Sequence, residues 1–167
     1  MRKTLEVLND LESKGFYRRY AIGGAIAAVF YVDPVPTEDL DVLILLPPNV
    51  SLLAPLSDLY AEMRIRGYSE DGPHVIIEGA AVQFLQAYNP LVEEAVEQAA
   101  AIAYADVMTR VPSAEHLTAI MIQTGRPKDR IRFQMMLESA NLDRAKLDDI
   151  LSRYDLARRY EAWTNDH

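Results

Sequence analysis

The stretch YAIGGAIAAVFYVDPVPTEDLDVLILL, residues 20–46, decides the fold. It opens as a short apolar strand closed by Gly23 and Gly24, passes through a small-residue helix, and ends in a second apolar strand headed by Asp39 and Asp41. Side chains alternate faces along a strand, so residues two apart lie on one side, roughly 6–7 Å apart along the backbone. Both carboxylates therefore point one way while Leu40 and Val42 point the other. Two convergent carboxylates make a hard-oxygen site for a divalent cation such as Mg²⁺. A glycine turn opening a helix brings backbone N–H groups close to a phosphate. Each feature also has a plain reading: acids solvated at the head of a strand, and glycines in an ordinary tight turn.

Taken together, the order of these features resembles the DNA polymerase β-type nucleotidyltransferase superfamily, marked by a Gly-Gly or Gly-Ser turn followed by an Asp-x-Asp strand. Here IGG and DLDVLI are separated by fourteen residues, with DPVPTE adding length. A second segment, PSAEHLTAIMIQTGRPKDRIRFQMML from Pro112, is similar to the C-terminal part of the AbiEii-type nucleotidyltransferases, which include toxins of type IV toxin–antitoxin systems. The resemblance implies an α+β fold: a mixed β-sheet nucleotidyltransferase core flanked by helices (residues 1–111), then a C-terminal helical bundle (112–167). It implies that Asp39 and Asp41 hold Mg²⁺, or Mn²⁺ in its place, and that Gly23 and Gly24 lie by the NTP phosphates. Thr37 either caps the start of the strand or touches phosphate, and Arg126 is a substrate-binding candidate. Lys128 and Asp129 of GRPKDR join the catalytic candidates, Asp129 orienting its basic neighbours, contacting the acceptor, or serving as an acid favourable to a helix N-terminus.

Two positions depart from that pattern. Superfamily members often carry a third carboxylate on a neighbouring strand, and the matching place here, within VQFL, holds Gln83. An amide cannot act as a base and is a weak metal ligand. Where the AbiEii-type helix places a lysine, this chain has Met121, with Lys128 or Arg126 as the compensating cation. Two functions follow. One is Mg²⁺-dependent transfer of NMP from an NTP to a hydroxyl of RNA, protein or a small molecule, with a cognate antitoxin as an implied partner. The other is a degenerate relative that binds nucleotide, RNA or a protein partner without chemistry.

The bulk composition narrows the alternatives. A chain of 167 residues, half of them hydrophobic, fits one domain with a substantial core. There are no cysteines, which removes disulfides, thiolate zinc sites and cysteine nucleophiles. The charged N-terminus MRKTLEVLNDLESKG and the lack of a long apolar run predict no membrane segment and a cytoplasmic address. A net charge of −8 argues against nonspecific coating of nucleic acid. Positive charge gathers at Arg126, Lys128, Arg130 and Arg132, and again at Arg153, Arg158 and Arg159, where it faces either a ligand or only solvent. His74, His116 and His167 show no zinc spacing, and His167 is expected to be disordered. The oligomeric state stays open.

Periodicity and turn residues predict helices at 3–14, 24–32 and 52–66, strands at 19–23 and 39–46, and a hairpin of 74–78 with 81–86. Pro90 reads as the first residue of a helix, with Tyr88-Asn89 either a loop exit or a contact to a base or ribose. Residues 103–111 read as a last strand or a crossing segment, and Ser113 as the N-cap of the first of four helices at 114–123, 127–140, 143–152 and 154–164.

Overall fold

The computed structural model describes residues 1–165, apart from residues 35, 38, 49 and 52. Leu5, Leu8 and Leu11 bury one stripe of helix α1 (Arg2–Ser13), and Gly15, at φ +79°, turns the chain after it. Strands β1 (Arg19–Ile22) and β2 (Asp39–Leu45) pair antiparallel and are linked through the five-residue helix α2 (Gly24–Ala28). Helix α3 (Ser57–Ile65) leads to β3 (Ser69–Asp71), β4 (His74–Ile77) and β5 (Ala80–Gln86). Then come α4 (Pro90–Glu97), the strands β6 (Ala100–Tyr104) and β7 (Val107–Val111), and the helices α5 (Ala114–Thr124), α6 (Pro127–Ser139), α7 (Arg144–Arg153) and α8 (Ala157–Asn165).

The larger sheet has the order β1-β2-β5-β4-β3; β2 and β5 run parallel and the other neighbours antiparallel. This is the mixed α+β architecture with helical C-terminal elements that the sequence predicts. Alternation along β2 sends Leu40, Val42 and Ile44 into a core shared with α1 and α3. Leu43 and Leu45 go to the opposite face, where Leu85, Val92, Val96 and Ile120 cover them. Helix α5 feeds Leu117 and Met121 into the first cluster, while Phe133, Leu147, Ile150 and Trp163 of the later helices make another. The second face of β2 is the one that carries Asp39 and Asp41.

Several elements differ from their predicted extents. Helix α2 stops at Ala28; Pro34 lies close ahead, and the residue before a proline is disfavoured in helical backbone. Helix α3 begins only at Ser57, past Pro55; the predicted start at Leu52 and the reading of His167 lie outside the described residues. Strand β3 is an addition, and its Ser-Glu-Asp sequence is wholly exposed, so no apolar alternation announces it. Residues 103–111 are not one strand but most of a hairpin, β6 with β7, turning at Ala105, whose φ is +55°. Alanines dominate β6 and mask its extended state. The hairpin of β4 and β5 turns at Glu78-Gly79, both at positive φ, one residue earlier than expected.

Caps and ion pairs fasten the helices. Asn89 caps α4 by accepting from Val92 N–H at 3.0 Å, which assigns this side chain to the turn reading. Ser113 accepts from His116 N–H at 3.3 Å and caps α5 as predicted. Buried His116 reaches Glu94 through Nε2 at 3.0 Å, and Arg153 grips both oxygens of Glu94 at 2.6 and 2.8 Å. Tyr154 donates to the same carboxylate at 2.6 Å. Arg153 thus ties α7 to α4 and α5, and Arg159 donates to the Gln123 carbonyl at the end of α5 at 3.1 Å. These two terminal arginines brace helices rather than face a ligand.

Arg153 above all, with Tyr154 and His116, holds the Glu94 carboxyl well below its ordinary range. A depressed carboxyl adds stability above its unfolded value and loses it as pH falls through the folded one. Glu94→Gln should cost roughly 1–3 kcal/mol at neutral pH, the usual worth of hydrogen bonds to charged groups. In urea titrations from pH 7 downward, that deficit should hold until the ordinary carboxylate range is reached, shrink progressively below it, and vanish only in strong acid.

Candidate functional site

The site is built at the head of β2. Asp39 and Asp41 open the strand, and its parallel register sets Asp39 beside Ala81 and Asp41 beside Gln83 of β5. In-register neighbours in a parallel pair share a face, so Gln83 stands next to Asp41, at the place where the resemblance expects a third acid. His74, at the start of β4, comes within 3.6 Å of the Asp39 carboxylate. His74 shows no metal-site spacing in the sequence; the half-buried–buried alternation of His-Val-Ile-Ile sets it on this face, and the apolar run that follows it hides that alternation from sequence.

Each carboxylate is held differently. Thr37 donates its hydroxyl to Asp39 Oδ1 at 2.8 Å, and this bond first of all keeps Asp39 below its ordinary pKa. Asp41 moves the other way, because burial and then repulsion from Asp39 favour its neutral form, with Lys128, Arg126 and Arg132 partly opposing them. Gly24 determines where Asp41 sits. A β-carbon on Gly24 would lie 1.9 Å from Asp41 Oδ2, and the residue has φ +57°, so the position rejects side chains on both counts. Gly23 gives room to Leu43, and its N–H donates to the Asp41 carbonyl at 2.8 Å. The Gly23 amide is therefore engaged within the fold, and phosphate contact would fall to the N–H groups that follow it.

The basic segment closes the site from the other side. Arg126 is the N-cap of α6 and shares a reciprocal box with Asp129. Asp129, 2% exposed, accepts from Arg126 Nε and from the Thr124 hydroxyl, each at 2.7 Å. Burial opposes its ionisation, but those hydrogen bonds outweigh burial and keep it below its ordinary value. Asp129 thus orients Arg126 and is fully occupied in doing so. Lys128 is exposed, and its charge acts on both Asp39 and Asp41. Gly24, Asp41, Arg126, Asp129 and Arg132 line one cleft of about 300 Å³ between the sheet and α4–α6, with Tyr88 on its wall. Thr37, Asp39 and Lys128 are not among its lining residues. Met121, the expected lysine position, is nearly buried and gives the cleft an apolar wall. Arg132 belongs to the basic cluster legible in the sequence but not to the site candidates named there, and its helical spacing from Asp129 is what brings it to the cleft.

Among the described residues no group of three His, Asp or Glu side chains has metal-site spacing. The donors offered are two carboxylates and the amide of Gln83. That set fits Mg²⁺, which keeps several waters and commonly takes one or two carboxylates with substrate phosphates. Among the described residues no helix is long and apolar enough to cross a membrane.

Two substitutions test this geometry. Gly24→Ala should destabilise the protein by roughly 1–3 kcal/mol, the usual cost of a left-handed non-glycine residue, seen as a lower urea midpoint. Asp41→Asn should raise the melting temperature of metal-free protein at pH 7 by a few degrees. A carboxyl shifted upward costs the fold stability as pH rises through its shifted value, so the advantage should fade in acid, where Asp41 is itself protonated.

No protein-family model matches the chain, and neither does any curated protein. Solved structures do. The solution structure of the antibiotic-resistance factor ANT(2'')-Ia matches 98% of this chain and 95% of its own, at 15% identity and TM-score 0.52. The crystal structure of ANT(2'')-Ia with adenylyl-2''-tobramycin matches 95% of each chain, at 16% identity and TM-score 0.54. A crystal structure of an antigenic nucleotidyltransferase-like protein from Paracoccidioides brasiliensis matches 96% of this chain and 93% of its own, at 15% identity and TM-score 0.54. At these identities the likeness is one of fold, and across nearly its whole length the chain has the fold of these nucleotidyltransferases.

Proposed function

We propose that the protein transfers NMP from an NTP to a hydroxyl acceptor, with Mg²⁺ or Mn²⁺ bound at Asp39 and Asp41. The observation that carries this reading is the pair of aspartates on one face of β2, the second pressed against Gly24 and surrounded by Lys128, Arg126 and Arg132. A carboxyl made less acidic by burial and then by a like neighbour is a place short of positive charge, which a divalent cation would supply. When bound, that cation would neutralise charge developing on the phosphates.

The chain's own residues have separable tasks. Thr37 orients Asp39, Gly24 gives Asp41 its place, and Asp129 steadies Arg126 toward the cleft. Arg126 and Lys128 attract the triphosphate. The acceptor oxygen would bond to the α-phosphorus as the bond to the bridging oxygen breaks. Pyrophosphate leaves with that electron pair, and the hydroxyl proton goes to water, since Gln83 cannot accept it. The ANT(2'')-Ia complex with adenylyl-2''-tobramycin supports a small-molecule acceptor by likeness of fold. An AbiEii-type toxin with an RNA or protein acceptor and a cognate antitoxin is a finer form of the reading, resting on the resemblance of the segment from Pro112 that contains GRPKDR.

Gln83 beside Asp41 favours a second reading, nucleotide binding without transfer. Incubation with each α-phosphate-labelled NTP, Mg²⁺ or Mn²⁺, and pools of small hydroxyl compounds, RNA and protein separates the two. Transfer should appear in one pool and fall at least about a hundredfold in Asp41→Asn, as when a group stabilising transition-state charge is removed. Metal-dependent NTP binding with no labelled product in any pool would establish the second reading instead.

A further inference from the structure

The floor of the cleft carries information about the acceptor. Leu43, Leu85, Val92, Leu117, Ile120 and Met121 line it. Among the described residues the acids along its wall are Asp41 and Asp129, and Asp129 is matched by Arg126 through hydrogen bonds to both of its oxygens, at 2.7 and 3.1 Å. With a cation on Asp41, no carboxylate among the described lining residues is left to receive a positively charged acceptor.

Arg132 shows the opposite imbalance. It lines the cleft, yet the residue is only 8% exposed. Among the described residues its one ion pair is an approach of 3.7 Å to Asp129 Oδ1, beyond hydrogen-bond reach and to an acid already taken. With no bonded anion among the described residues, this mostly buried guanidinium would gain a partner from a ligand anion in the cleft. The side chain of Arg126, in contrast, is 51% exposed.

We propose that the acceptor is a small hydroxyl compound with an apolar body and one anionic group, the body on this floor and the anion on Arg132. The inference rests on the nucleotidyl-transfer reading and narrows its substrate. A polycation is the wrong partner for such a cleft. In the transfer the acceptor hydroxyl oxygen gains the α-phosphorus, pyrophosphate leaves with the electrons of the broken bond, and the hydroxyl proton passes to water.

The test is calorimetric titration of the full chain holding Mg²⁺ and a non-transferable α,β-methylene NTP. The probes are para-hydroxyphenylacetate, the uncharged para-hydroxyphenylacetamide of the same shape, and tobramycin. The acid should bind about tenfold more tightly than the amide, a difference of one charge-assisted hydrogen bond, and tobramycin should not bind. Arg132→Gln should bring the acid-to-amide ratio near one while nucleotide affinity holds, and Arg132→Lys should keep part of the preference. Equal binding of acid and amide, or tighter binding of tobramycin, would overturn the proposal. So would an Arg132→Gln variant that loses nucleotide affinity, because Arg132 would then serve a phosphate. If Arg132→Gln does not fold, the wild-type ratio and the lysine variant decide the matter. Nucleotide binding is titrated first, so its absence would count against nucleotidyl transfer and not against an Arg132-dependent acid preference.

Discussion

The Asp41 carboxylate occupies the space that a β-carbon on residue 24 would fill, its Oδ2 lying 1.9 Å from that position. Much of the site follows from this contact. The first turn of α2 can press onto the head of β2 only because Gly24 has no side chain and tolerates φ +57°. The Gly23 amide ties the same turn to the Asp41 carbonyl, so main chain and side chain are registered together. The result holds a carboxylate partly out of water and next to a second acid, an arrangement that works against folding unless a cation or nearby arginines compensate.

The basic residues divide by what they touch. Arg153 and Arg159 are committed to Glu94 and to the end of α5, where they hold the helices in place. Arg126 is committed to Asp129 and thereby fixed at the mouth of the cleft. Lys128 and Arg132 have no comparable bond among the described residues, and both act on Asp41. Positive charge is thus structural where an acid within the fold answers it and open to a ligand where none does. Net charge and charge clustering cannot make that distinction, because they count residues and not partners.

Glycines, aspartates and prolines with strong local preferences were the legible part of the fold. The Gly-Gly turn, the alternation along β2, the Pro90 helix start and the Ser113 cap all rest on interactions within a few residues. Less legible were elements whose state depends on what they pack against. Strand β3 is held by pairing with β4 and buries nothing, and the alanine-rich β6 is extended only because β7 lies beside it. Sequence leaves the role of Asp129 open, and its burial and four hydrogen bonds, from Thr124 and Arg126, make it both the acid that orients the Arg126 side chain and the acid that caps the start of α6.

By itself the sequence determined the α+β class, the pairing of Asp39 with Asp41 on one strand face, and the absence of an acid at position 83. A strand's two-residue period and the chemistry of each side chain are local properties, present before folding. Only the tertiary structure decided that Gln83 stands beside Asp41, that His74 approaches Asp39, and that Arg132 is buried in the cleft with its nearest acid already taken. Those facts depend on strand order and on how α6 docks against the sheet. Such contacts join residues far apart in the chain, and their geometry is set by the packing of the whole domain.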